Sequence, residues 1–180
     1  MDSPATNISL TTAIDPPWTA IAPIRLGGVP AGLGTADLFA LITLPDGERI
    51  RLDLYRAGDS EFYFPDEVIA WHEWIVVGFG HRVFLIHALD RHVNEVPLPL
   101  YFEGFRSSAE YLLVLAGEGL VRLDRRGHLV WTSARLAIDG VEVDLIENGV
   151  ISGRGEWDPP GGWRPFHVRL DTGQLIDAVV

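Results

Sequence analysis

The residues best equipped for chemistry stand together between positions 153 and 166, in GRGEWDPPGGWRPF. On an extended backbone Glu156 and Asp158 share a side, Trp157 and Trp163 supply flat, rigid rings, and Arg164 brings a planar fork of donors. Acids and aromatic anchors of this kind suit a cationic protein surface or a sugar ring. A structural role competes with both: the two tryptophans fold back over the end of a sheet while Arg164 pairs with Glu156 or Asp158. Catalysis by paired carboxylates needs one raised and one ordinary pKa across a gap of about 5 to 9 Å, which linear spacing does not show.

The remaining reactive residue types form no constellation. Glu142, Asp144 and Glu147 read as a solvated acidic face, since no oxygen-ligand loop of the EF-hand type surrounds them. None of the six histidines, His72, His81, His87, His92, His128 and His167, sits in H-E-x-x-H, and Trp71-His72-Glu73-Trp74 lacks the second histidine. Ser107, Ser108 and Ser133 lie in no G-x-S-x-G elbow. Gly78-Phe79-Gly80 and Gly117-Glu118-Gly119 read as hairpin turns, because no helix-opening G-x-G-x-x-G or Walker A sequence is present. Cysteine is absent, which removes disulfides, thiol catalysis and thiolate metal centres. The expectation is therefore no catalytic residue, no metal and no cofactor.

Charge narrows the partners. The chain carries a net charge of -11 and its fourteen basic residues are all arginine. Such a surface repels a phosphate backbone, and the densest basic spot, Arg122, Arg125 and Arg126 with His128, is interrupted by Asp124. Nucleic acid is not expected, whereas a basic protein partner is. The segment MDSPATNISLTTAIDPPW has neither a basic n-region nor an apolar core, and no apolar run reaches the length of a membrane helix. A cytoplasmic location without membrane attachment follows as the expectation.

These side chains need a scaffold, and the pattern predicts strands. Residues 1–34 hold five prolines and four glycines and read as an extended arm packed on a single domain spanning 35–180. Residues 38–44 and 48–55 flank a Pro45-Asp46-Gly47 turn, and 71–77 reads as one apolar strand that turns at 78–81 into a second, 82–89. Apolar residues on both sides of 82–89 mark a central strand. Pro97 and Pro99 confine 93–100 to an edge, and 101–110 reads as a connection. The stretch 111–131, YLLVLAGEGLVRLDRRGHLVW, contains three short antiparallel strands. Asn148-Gly149 is the preferred pair for a tight hairpin turn. Residues 153–162 look too rich in glycine and proline for a regular strand throughout, and strands resume at 166–170 and 174–180.

Residues 74–90, 112–127 and 145–173 share a grammar of apolar strand, glycine turn, alternating strand and Asp-containing turn, with Val121-Arg122-Leu123-Asp124 matching Val168-Arg169-Leu170-Asp171. GEGLVRLDRRGHLVW resembles the blade motif of quinoprotein-type and related β-propellers. The wider pattern, through IDGVEV and GRGEWDPPGGWRPFHVRLDTG, is also similar to small uncharacterised bacterial proteins, and an immunity-type role is the expectation attached to that likeness. The expected fold is mostly β, antiparallel sheets built from repeated hairpins as a sandwich or irregular barrel, with propeller-like blades as the alternative. The expected function is non-enzymatic protein binding, as an immunity or accessory factor. The alternatives are a carbohydrate-binding or carbohydrate-active module using 156–166, and a self-associating structural protein.

Overall fold

A computed structural model describes residues 5–56, 65–158 and 161–176. They fold into four sheets whose pairings are antiparallel with one exception. The first sheet has the order β1-β3-β4-β2, from β1 (Asn7–Thr11), β2 (Ile24–Gly27), β3 (Leu38–Thr43) and β4 (Arg49–Tyr55), with β2 parallel to β4. The second is a meander of β5 (Glu67–Trp71), β6 (Trp74–Phe79), β7 (Arg82–His87) and β8 (Val93–Pro97). The third repeats that meander with β9 (Phe102–Ser107), β10 (Tyr111–Ala116), β11 (Gly119–Asp124) and β12 (Leu129–Thr132). The fourth contains β13 (Val141–Glu147), β14 (Val150–Glu156) and β15 (Trp163–Arg169). The fold is thus mostly β, from antiparallel hairpins, and no sheet among the described residues closes into a barrel.

Side-chain alternation stacks these sheets in chain order. In β6 and β7, Ile75, Val77, Phe84 and Ile86 pack against the first sheet, while Trp74, Val76, Val83 and Leu85 pack against the third. The same division operates in β10, where Leu112 and Val114 face the second sheet and Leu113 and Leu115 face the fourth. A strand buried on both faces must be apolar at successive positions, which is why these segments read as nearly continuous apolar runs. Each fully buried Leu, Ile or Val contributes about 1.5–3 kcal/mol.

The two V-R-L-D segments close the third strands of the third and fourth sheets, β11 and β15, and a tryptophan of the preceding sheet clasps the turn after each. Trp74 Nε1 donates to the Arg125 carbonyl (3.3 Å) and Trp131 Nε1 to the Leu170 carbonyl (3.0 Å). Gly127 and Gly173 have φ of 77° and 72°, and a β-carbon there would lie 3.2 and 2.7 Å from those indoles. Only glycine meets both demands.

Three local expectations are corrected. Residues 71–77 are two strands, because Trp71 and Trp74 pair across a tight turn at His72-Glu73, with His72 at φ 53°, and both indoles enter the core between the second and third sheets. The following strand runs on through Gly78 and Phe79, since the Phe102 ring occupies the space beside Gly78, 2.3 Å from where a β-carbon would stand. Residues 102–107, read as a connection, form β9, which supplies Phe102 and Phe105 to the core.

The two ends of the stack differ. The outer face of the first sheet is covered by the segment between β1 and β2: Ile14 packs with Ala36, Phe39 and Tyr55, and Arg49 lies over the Trp18 ring. Buried Asp53 is held there by both nitrogens of the Arg51 fork, at 2.7 and 2.9 Å. No described segment covers the outer face of the fourth sheet, and Leu145 (53% exposed) and Trp163 (37%) stand open on it.

Candidate functional site

The glycine-rich stretch at 153–162 is more regular than its composition suggests. β14 continues through Gly153 and Gly155 to Glu156, and β15 begins at Trp163, opposite it. The glycines are required by proximity: a β-carbon at Gly155 would lie 2.0 Å from the Leu136 carbonyl oxygen, and one at Gly153 would lie 2.1 Å from that of Glu142. The loop itself is short. The Trp157 amide donates to the Gly162 carbonyl (3.0 Å), and the Gly161 and Gly162 amides donate to the Asp158 backbone carbonyl (3.0 and 2.8 Å). Pro159 and Pro160 lie outside the described residues.

This geometry separates the five expected binding residues. As directly opposed residues, Glu156 and Trp163 share the outer face of the fourth sheet. Arg154, on that face, lies over the Trp163 ring at 5.4 Å while its Nε donates to Glu142 at 2.6 Å. Arg164 lies over the Trp157 ring at 5.7 Å. Among the described residues it makes no ion pair with Glu156 or Asp158. Asp158 is exposed, and Trp157 is half-buried.

Glu156 is joined by groups that sequence reasoning did not single out. A backbone ladder ties the neighbourhood together: Gly117 N–H donates to Tyr101, Gly140 N–H to Gly117, and Glu156 N–H to Gly140, at 2.8 to 2.9 Å. Gly140, at φ 140°, is the hub, and its missing side chain leaves room for its neighbours. A β-carbon there would sit 3.4 Å from Glu103 Oε1, 3.6 Å from the Trp163 ring and 3.9 Å from Glu156 Oε2. Tyr101 donates its hydroxyl to Asp139 Oδ1 at 2.6 Å, and Glu103 Oε2 accepts the Val141 N–H at 2.8 Å. The result is an acid corner of Tyr101, Glu103, Asp139 and Glu156 with Trp163 on its rim.

The electrostatics follow from crowding. Burial pushes the Glu103 carboxyl above its ordinary value, and the Asp139, Glu142 and Glu156 carboxylates push further, against the opposing Val141 N–H bond. Burial also raises the Tyr101 phenol, reinforced by its bond to Asp139 and by Glu103 and Glu156. Tyr101 therefore remains a neutral donor across the physiological range. An added cation would relieve the mutual repulsion of the carboxylates.

A second polar pair lies on the same outer face, where Ser152 Oγ and His167 Nδ1 are 3.0 Å apart. Among the described residues no carboxylate meets the remaining ring nitrogen, so the orienting acid of a hydrolase triad is missing. Also among the described residues, no group of three His, Cys, Asp or Glu has a metal-binding arrangement. The sequence signals for the acid corner were faint. Tyr101-Phe102-Glu103 sits in a segment read as a connection, and Asp139 precedes the strand at 141–147 with no pattern that marks it. No protein-family model matches the chain, and no curated protein matches it.

Proposed function

We propose that the chain is a protein-binding module that engages a basic partner, in the manner of an immunity or accessory factor. One observation carries this reading: four carboxylates, Glu103, Asp139, Glu142 and Glu156, converge beside a half-exposed tryptophan on the one stack end that no described segment covers. A partner arginine or lysine that reaches the rim of this corner meets the partly exposed Glu156 and the exposed Asp139, and its stem lies along Trp163. The net charge of -11 steers such a partner toward the surface.

The test is capture from native lysate by the unmutated protein and by the double variant Asp139→Asn, Trp163→Ala. The expected result is a basic protein retained by the former, lost with the latter and released by salt, with Trp163→Ala alone costing about 2 kcal/mol or more. Retention of the same proteins by both forms would overturn the proposal. Binding a carbohydrate has one observation in its favour, the placement of the Trp163 ring opposite Glu156. Against it, Arg154 covers one face of that ring, and a glycan array without hits removes it.

A further inference from the structure

Arg122 is out of place where it stands. It lies on β11 opposite Leu113, on the face of the third sheet that packs against the fourth, among Leu113, Leu115 and Leu120. Its guanidinium lies over the Tyr111 ring at 5.6 Å, and its Nε is buried and meets no hydrogen-bond partner among the described residues. A half-buried cation without a counter-charge is costly unless something else supplies acceptors. Beside it is a cavity of about 300 Å³, lined by Arg122, Asn148, Gly149, Arg169, Leu170 and Ile176. Asp171 lines it too, but is committed to Arg169, at 3.0 and 2.8 Å to its two oxygens. Among the described residues the cavity thus presents one uncommitted positive group, one neutralised pair and an apolar wall.

We infer that this cleft between β11 and the 148–150 and 170–171 turns binds a small monocarboxylate. Arg122 lines the cleft, and its guanidinium fork matches a carboxylate in two parallel hydrogen bonds. Val150, Leu170 and Ile176 accommodate a short hydrocarbon portion. Among the described residues that line the cleft, Arg122 is the one cation without an ion pair, and beside Asp171, in a chain of charge -11, it favours a monoanion over a phosphate dianion. The cleft is at the small end of ligand sites, which fits a ligand of few heavy atoms. This site is independent of the acid corner.

The test is an amide and Arg Nε–H NMR titration of the whole chain with propionate, with neutral propionamide as the size-matched control and inorganic phosphate as the dianion. Propionate is expected to shift Gly149, Val150, Leu170 and the Arg122 Nε–H saturably, with a Kd on the order of 1 mM. Propionamide should shift none of them, and phosphate should bind at least about tenfold more weakly. Arg122→Gln should weaken propionate about tenfold or more, while Arg125→Gln stays within about twofold. The Arg122 Nε–H of the unmutated protein reports directly, so the result does not hinge on whether a variant folds. Absence of saturable shifts, equal shifts with propionamide, tighter phosphate binding or unaltered binding by a folded Arg122→Gln would each overturn the inference.

Discussion

At the scale of single residues, a carboxyl that is harder to ionise in the folded chain couples folding to pH. The folded pKa of Glu103 lies above its ordinary value of 4.5, so its stabilising contribution is complete below that value. It is lost as pH rises through the folded pKa. Glu103→Gln keeps a carbonyl for the Val141 N–H and removes the charge. Its thermal midpoint should exceed that of the unmutated protein at pH 7, with the gap closing toward about pH 4. A gap unchanged by pH, measured by calorimetry, would show that the Glu103 carboxyl is not raised by its burial and its acidic neighbours. Gly155→Ala tests steric necessity instead: with the Leu136 oxygen 2.0 Å from the new carbon, backbone must move. The expected cost in urea titration is about 1–3 kcal/mol. These contacts were not legible in the sequence. Tyr101, Glu103, Asp139 and Glu156 meet through pairing between separate sheets, and no periodicity reports which loops will touch.

Among the elements, legibility follows burial. Strands β7 and β10 were visible because both of their faces are apolar, and Asn148-Gly149 was visible because Asn148 (φ 51°) and Gly149 (φ 75°) need positive φ. β9 was missed because only Phe102 and Phe105 announce it, with Gly104 and polar residues between. The hairpin at His72-Glu73 was hidden by the tryptophans on either side, which give the run an unbroken apolar look. The clasp between sheets predicts an uneven response to truncation. Trp131→Ala removes both packing on Gly173 and the bond to Leu170, and should cost about 3–5 kcal/mol. Arg125→Ala should stay within about 0.5 kcal/mol, because its side chain is exposed and only its backbone carbonyl receives Trp74. Comparable unfolding midpoints for the two variants would refute this account of the clasp.

For the whole molecule, the decisive fact is that the three apolar clusters between sheets each join sheets adjacent in chain order: first with second, second with third, third with fourth. The inner strands β6, β7, β10 and β11 are covered on both sides, whereas β13 is covered on one. Hydrogen exchange should therefore be slowest in the former and fastest in β13, and equal protection throughout would contradict the layered packing. A stack whose contacts are confined to neighbours also has a natural direction of assembly. On a ribosome, the first sheet emerges with the segment that seals its outer face, and every later sheet meets an apolar face already waiting for it. No sheet has to wait for a distant part of the chain before burying its first face. The acid corner, assembled from β9, the 139–140 loop and β14, is completed only when the fourth sheet docks. A nascent chain would thus acquire its fold before its candidate binding surface, and a partner added during synthesis would find nothing to hold until that last layer is in place.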